Sequence, residues 1–296
     1  MTGETLLMRV SATLNQSGIS NGGLLHENSG TFLVRQDTPT AVFSTVYKPM
    51  LCLILQGTKE IGSNDKSLTA YAGQSLIVSH ILPVVSRITE AGPEQPYVAL
   101  VFPLDLELLR SLGSEVLPSF SDQSSDPFSI CLCDTDDALE STMQRYFDQC
   151  ETQQTRQFIA PITKREIHVR LLLSPHAQVL RKLLWHESTA SRVFQATQNI
   201  QSNLAEKIIV GELAQSAGMS SSAFFERFKA VTGTSPLQYQ KDLRLLRARG
   251  ELQATNAKIS DIAFGVGYES SAQFSREFSR KFGRTPRQDR TPENLE

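Results

Sequence analysis

Residues 213–236, LAQSAGMSSSAFFERFKAVTGTSP, and residues 262–286, IAFGVGYESSAQFSREFSRKFGRTP, are two versions of one pattern. Leu213 and Ile262, Ala214 and Ala263, and Gly218 and Gly267 match at an offset of 49. Phe224 and Phe274, Phe228 and Phe278, Gly233 and Gly283, and Pro236 and Pro286 match at an offset of 50. One residue is therefore inserted in the second copy, between Gly267 and Phe274. The matched residues are all types that set backbone or packing, which makes a chance duplication a poor account of them.

Each copy follows helix-turn-helix logic. A short first helix turns Leu213 and Ala214, or Ile262 and Ala263, inward, and the small Ala lets a second helix approach. Gly218 or Gly267 takes the turn, where a positive φ suits Gly. Ser220 or Ser270 is placed to cap the second helix. Phe224 and Phe228, or Phe274 and Phe278, are spaced i, i+4 and face the core. Gly233 or Gly283 then stops the helix, and Pro follows.

With those aromatics inward, the opposite face of the first copy carries Ser221, Ser222, Phe225, Glu226 and Lys229. That of the second carries Ser271, Ala272, Ser275, Arg276 and Ser279. Small polar residues let a helix enter a DNA major groove. Arg276 suits the O6 and N7 acceptors of guanine, Glu226 the cytosine amino group, and Phe225 a thymine methyl. Two alternatives stay open: Glu226 paired with Lys229, and Arg276 on a phosphate. The expected phosphate contacts are Ser221, Lys229, Gln273, Arg280, Lys281, Arg284, Arg287 and Arg290, with some of Lys241, Arg244, Arg247 and Arg249. Between the copies, Pro236–Ala254 reads as a helix, with Leu237, Leu243, Leu246 and Leu252 on one side. At 1.5 Å per residue it is about 28 Å long, enough to hold two recognition helices near one DNA turn apart.

Upstream, the period changes from helical to strand-like. Thr31–Arg35, Ala41–Tyr47, Met50–Gln56, Glu60–Gly62, Leu68–Tyr71, Ser75–Ser79, Val84–Thr89 and Tyr97–Phe102 read as strands, with Ser63–Lys66 a hairpin turn. The continuous apolar run Met50–Leu55 fits a strand buried on both faces. Many short strands at close spacing indicate a small barrel or sandwich. Its interior lining is expected from Phe43, Leu51, Leu53, Leu55, Leu76, Val78, Val85 and Val98, as a small-molecule pocket or as a filled core. Leu104, Leu108, Leu109 and Leu112 mark a helix, Ser114–Pro127 reads as loop, and Asp136–Glu151 reads as a long helix. The stripe of that helix, Leu139, Met143, Tyr146, Phe147 and Cys150, either packs on the barrel or makes a homodimer. Helices over Ile162–Leu173 and on to about Trp185 follow, and Glu187–Arg192 marks a boundary.

A chain of 296 residues has room for about two domains. Its parts differ in charge. Residues 1–190 hold 14 Lys and Arg against 20 Asp and Glu, and residues 191–296 hold 15 against 11. An acidic first part and a basic second part suggest a polyanion as partner of the second. The chain shows no long apolar run and no signal-peptide pattern at its start, so a cytoplasmic protein without membrane contact is expected. Four cysteines in such a length are no disulfide framework.

Catalytic and cofactor motifs are missing from the sequence: no Gly-x-Gly-x-x-Gly, no P-loop, no Gly-x-Ser-x-Gly. His80 and His26 do not make a cupin-type metal set, and His80 reads as a turn or core residue. Cys131-Leu132-Cys133 lacks the second pair that structural zinc sites use. No enzyme activity, cofactor or metal is expected. A cupin-type metalloenzyme with a nucleic-acid-binding tail is the contrasting reading, and a regulator whose barrel only dimerises is another.

The stretches VGELAQSAGMSSSAFFERFKAVTGTSPLQYQKDLRLLRARGEL and ISDIAFGVGYESSAQFSREFSRKFGRTP resemble the DNA-binding domain of the AraC/XylS family of bacterial transcription regulators, over roughly residues 195–290. The stretches KPMLCLILQGTKEI, YAGQSLIVSHILPV, PYVAL and REIHVRLLLSPHAQVLRKL resemble an AraC-type N-terminal regulatory domain. The resemblance implies an α+β protein. Residues 1–187 would form a cupin-like barrel with following helices, for an effector or for dimerisation. Residues 193–290 would form an all-α domain whose helix-turn-helix motifs, about 210–232 and 259–282, are joined by a linker helix. It implies a sequence-specific DNA-binding regulator, often an activator, that contacts RNA polymerase. By position it makes Ser222, Phe225 and Glu226 the base readers of the first motif, and Ser271, Ala272, Ser275 and Arg276 those of the second.

Overall fold

The computed structural model describes residues 5–63, 66–116, 129–184 and 188–290. Helix α1 (Leu6–Gln16) precedes nine strands: β1 (Asn21–His26), β2 (Thr31–Gln36), β3 (Phe43–Tyr47), β4 (Met50–Gln56), β5 (Thr58–Ser63), β6 (Lys66–Tyr71), β7 (Gln74–Val78), β8 (Leu82–Glu90) and β9 (Tyr97–Pro103). Helix α2 (Leu106–Val116) and strand β10 (Ile130–Asp134) follow. Four helices close this part: α3 (Asp137–Gln149), α4 (Gln153–Phe158), α5 (Ala160–Leu173) and α6 (Ala177–Leu184). The rest is helical: α7 (Thr189–Ser202), α8 (Val210–Ser216), α9 (Ser221–Thr232), α10 (Pro236–Ala254), α11 (Ile259–Gly265), α12 (Ser271–Phe282) and α13 (Pro286–Arg290). The fold is α+β, with the strands gathered in the first part.

All strand pairs are antiparallel, in a six-stranded sheet ordered β1-β2-β9-β4-β7-β10 and a four-stranded sheet ordered β3-β8-β5-β6. The sheets face each other across Met50, Cys52, Ile54, Leu76, Val78, Val84, Ile88, Tyr97 and Ala99. The outer face of the larger sheet carries Leu33, Leu51, Leu53, Ile77, Val98 and Leu100, packed under α1, α2, α3 and α5. Strand β4 is thus buried on both faces, which is why it reads as one apolar run. The expected lining is corrected by the pleat. Side chains alternate, so a reading displaced by one residue moves them to the other face. Leu51, Leu53, Leu55 and Val98 meet the helices, and Leu76 and Val78 meet the opposite sheet. Val85 is exposed, and Phe43 lines a cleft outside the barrel.

Helix α3 starts where its acids allow. The Asp136 carboxylate caps it by accepting from the Leu139 N–H at 2.6 Å. Its stripe, Leu139, Met143, Tyr146, Phe147 and Cys150, is buried within this chain, so it serves barrel packing rather than a dimer face. Four elements had no reading in the sequence: α1, β1, β10 and α4. Glycines in β1 and the mixed polarity of β10 hide the strand period. Helix α2 runs through Ser114 to Val116, where a loop was expected, and residues 117–128 lie outside the described residues, as do Asn64, Asp65 and Trp185. Ser188 caps α7, accepting from the Ser191 N–H, so Thr189–Arg192 is helical rather than linker.

The barrel and the first helical core meet directly. Ile81 lies in one apolar cluster with Val193, Ile200, Leu213, Phe224, Phe228 and Tyr239, and Val46 packs against it. Hydrogen bonds among the described residues cross the seam. The Tyr239 hydroxyl donates to the Ile81 carbonyl at 2.6 Å, the Ser129 hydroxyl to the Val231 carbonyl at 2.8 Å, and His80 Nε2 reaches the Ala190 carbonyl at 2.9 Å. A cleft of about 610 Å³ opens beside the seam, between Phe43–Lys48 and Leu243–Gln253.

Candidate nucleic-acid interface

The two motifs repeat atom for atom where the sequence repeats. Gly218 N–H donates to the Gln215 carbonyl and Met219 N–H to Ala214, and Gly267 N–H donates to Phe264 and Tyr268 N–H to Ala263. Gly218 has φ +63° and Gly267 φ +92°. At Gly267 a side chain has no room, because a Cβ would stand 2.2 Å from the Ala205 carbonyl oxygen. Ser220 and Ser270 cap α9 and α12, accepting from the Ala223 and Gln273 N–H groups. Gly233 and Gly283 end both helices in the left-handed region, at φ +79° and +72°. Phe224, Phe228, Phe274 and Phe278 are all fully buried, each contributing about 1.5–3 kcal/mol of apolar burial.

Burying those four rings leaves the opposite faces to solvent. On α9, Ser221, Ser222, Phe225, Glu226 and Lys229 are exposed. On α12, Ala272, Gln273, Arg276 and Arg280 are exposed, and Ser271 and Ser275 are half-exposed. The Ser275 hydroxyl donates back to the Ser271 carbonyl at 2.9 Å. Gln273 donates to Glu277 at 3.3 Å. Lys281 and Arg284 instead hold the domain together: Lys281 pairs with Asp242 of α10, and Arg284 Nε lies 2.8 Å from Asp289. Arg287 is exposed.

Helix α10 is the brace between the motifs. Tyr239 and Leu243 enter the first core, and Leu245, Ala248 and Leu252 enter the second. Leu237, at helical spacing with Leu243, Leu246 and Leu252, is exposed. The cations of α10 also face inward more than their sequence suggests. Arg244 donates to the carbonyls of Leu204, Ala205 and Glu206 at 2.8–3.0 Å and to that of Gly267 at 2.8 Å. One guanidinium thus ties the segment before the first motif to the turn of the second, a use that the planar fork of Arg permits. Arg249 lies 3.0 Å from the buried Asp289, Lys241 3.2 Å from Glu277, and Arg247 3.1 Å from Glu251. A count of charges cannot separate these braces from groove-facing cations, since the deciding partners lie up to 40 residues away.

The barrel histidines are structural. His80 is 1% exposed and uses both nitrogens, Nδ1 with the Ser79 hydroxyl at 2.8 Å and Nε2 with Ala190. His26 stacks on Phe147 with ring centroids 4.6 Å apart and bonds Ser29 through Nδ1. Neither is placed to ligate a metal inside the barrel. No helix among the described residues is long and apolar enough to cross a membrane.

Comparison with known proteins agrees with this division of the chain. Residues 29–179 match the family model of the AraC-type transcriptional regulator N-terminus, and residues 213–291 match a helix-turn-helix domain model. The HTH-type transcriptional activator RhaS of Escherichia coli O139:H28 is 30% identical over 140 residues, 47% of this chain and 50% of RhaS. The chain spans about half the length of the curated relatives it matches. Apo ToxT from Vibrio cholerae superposes with a TM-score of 0.58 at 10% identity, covering 88% of this chain and 96% of ToxT. Unsaturated fatty acid bound ToxT from the same species gives 0.56 at 10% identity, covering 88% and 93%. Those likenesses show the shared fold of a β domain followed by a helical domain. The N-terminal match alone covers half of the sequence, and the chain belongs to the AraC-type transcriptional regulators.

Proposed function

We propose that this protein is a sequence-specific DNA-binding regulator of transcription that inserts α9 and α12 into two successive major grooves. The observation that carries the reading is the pair of duplicated helices, each with a fully buried Phe pair on one face and an exposed polar face opposite. Ser222, Phe225 and Glu226 then read bases from α9, and Ser271, Ala272, Ser275 and Arg276 from α12. Ser221, Lys229, Gln273, Arg280 and Arg287 are placed for phosphates. The inward pairing of Lys281 and Arg284 removes them from that set. Arg276 is the strongest reader, because a guanidinium can make two hydrogen bonds to one guanine.

Residues 193–290 act in this reading as the DNA-binding unit, with α7 as its support, and residues 1–187 as the regulatory unit. Activation is the mode suggested by the name of the RhaS relative, and contact with RNA polymerase is what the family resemblance implies for it. A homodimer fits the family, although not through the buried stripe of α3. A small-molecule effector has a candidate place between the sheets, where the hydroxyls of Tyr47 and Tyr97 are buried without hydrogen-bond partners. The Lys59 ammonium lies 5.2 Å from the centre of the Tyr47 ring. Two hydroxyls and a cation in an otherwise apolar interior suit a small acid. The chain's role is binding rather than catalysis.

The test is Arg276→Ala in the full chain against a selected operator. A loss of about 1–3 kcal/mol in specific binding, with relaxed preference at one base pair, is expected. An equal loss on all sequences would make Arg276 a phosphate contact, and no loss would remove α12 from the interface.

A further inference from the structure

Strand β10 carries Cys131 and Cys133 two residues apart, so both side chains leave the same face of the sheet. Ile130 and Leu132 turn into the barrel interior, and the two sulfurs stand 3.4 Å apart on the other face. The third group comes from far along the chain. His176, just before α6, is 1% exposed, and one of its ring nitrogens and the two sulfurs all lie within 4.8 Å of one another. In a tetrahedral site with metal–sulfur bonds of about 2.3 Å and metal–nitrogen bonds of about 2.0 Å, neighbouring donors stand roughly 3.5–3.8 Å apart. The observed spacing is already close to that.

The imidazole is held for ligation by a chain of hydrogen bonds. Ser75, paired with Cys133 across the β7–β10 ladder, donates its hydroxyl to the Cys133 carbonyl at 3.4 Å. The same oxygen lies 2.8 Å from His176 Nε2, and when the hydroxyl proton is given to the Cys133 carbonyl, Nε2 carries the ring proton and donates to that oxygen. The His176 backbone N–H is fixed by the Ser174 hydroxyl at 3.2 Å. That leaves the lone pair on Nδ1, which is buried and has no hydrogen-bond partner. An orphaned buried acceptor is unfavourable, and a bound cation would offset that cost. In metal-bound histidine the ring nitrogen that does not touch the metal usually makes a hydrogen bond that fixes the tautomer. Both thiols are half-exposed, so an ion can enter from solvent.

We propose that Cys131, Cys133 and His176 bind one thiophilic d10 cation, zinc(II) or copper(I). Thiolate and imidazole donors select these ions over magnesium, calcium or manganese. Binding forms two metal–sulfur bonds and one metal–nitrogen bond and releases the two thiol protons to solvent, with no change of oxidation state. Zinc would complete its shell with a water, and copper(I) is satisfied by three donors.

The experiment uses the reduced full chain, stripped with a chelator, and adds zinc(II) or copper(I) in separate arms. One equivalent should survive desalting in at least one arm and should protect Cys131 and Cys133 from alkylation, mapped by mass spectrometry. The arm with tighter retention against a competing chelator identifies the ion. Cys131→Ser and Cys133→Ser should each weaken retention on the order of 100-fold or more, and Ser75→Ala, a positioning change, by about tenfold. Failure of both cations to remain bound overturns the proposal. So does retention unchanged in both Cys variants, protection confined to Cys52 or Cys150, or a Cys131–Cys133 disulfide that forms equally with and without metal. The alkylation map needs no variant, so misfolding of a mutant cannot mask the result.

Discussion

The first helix-turn-helix motif shares its core with the barrel, whereas the second is closed by its own residues and by ion pairs. Ile81 and Val46 pack into the first, and the Val231 and Ala190 carbonyls accept hydrogen bonds from Ser129 and His80. Among the described residues, the core of the second is built from α10, α11 and α12 and their connections, flanked by Lys281–Asp242 and by Asp289 between Arg249 and Arg284. Two copies with the same Gly, Phe and Pro punctuation have thus been given different surroundings. The lesson is that a repeat fixes the local backbone, while the partner of each copy decides its role. A change in the barrel has a direct mechanical route to α9 and reaches α12 through α10 or through the 204–206 segment packed on Gly267.

The largest expected effect comes from the two turn glycines. Gly267→Ala combines a positive φ with a Cβ driven into the Ala205 carbonyl, so it should cost about 3–4 kcal/mol in denaturant unfolding. Gly218→Ala meets only the end of the Arg192 side chain, at 3.4 Å, and should cost about 1–2 kcal/mol from backbone strain alone. Equal losses would show that the two turns are equivalent after all.

Acid should loosen the first motif before the second. Burial lowers the His80 pKa to about 4 from an ordinary 6.5, so the folded state disfavours the protonated ring. Its stabilising contribution is complete above pH 6.5 and is lost as pH falls from 6.5 toward 4, on the order of 3 kcal/mol. Unfolding followed across that window should flatten in His80→Gln, and an unchanged profile there would remove His80 from the acid response.

The smallest effect tests the seam itself. Tyr239→Phe keeps the ring against Phe228 but leaves the Ile81 carbonyl without its 2.6 Å donor. A loss of about 1–2 kcal/mol is expected. Hydrogen exchange should rise in α9 more than in α12, and the reverse order would break the distinction between the motifs.

Much of this was legible because it is local. The caps Ser220 and Ser270, the stops Gly233 and Gly283, and the span of α10 follow from residue type and spacing, and the eight strands read from β2 to β9 follow from a two-residue period. Parity was not legible in β4, since a strand apolar on both faces carries no alternation to read. The roles of Arg244, Lys281 and Arg284 were hidden because a cation looks the same whether it awaits a phosphate or clasps a carbonyl.

Residue type and spacing were enough to specify two matched helix pairs, the polar face of each, and a β domain ahead of them, because short-range sterics and periodicity suffice for those. Which copy meets the barrel, which cations serve as braces, and the meeting of His176 with Cys131 and Cys133 came from the packed chain, because each depends on contacts between residues tens of positions apart that no local pattern encodes.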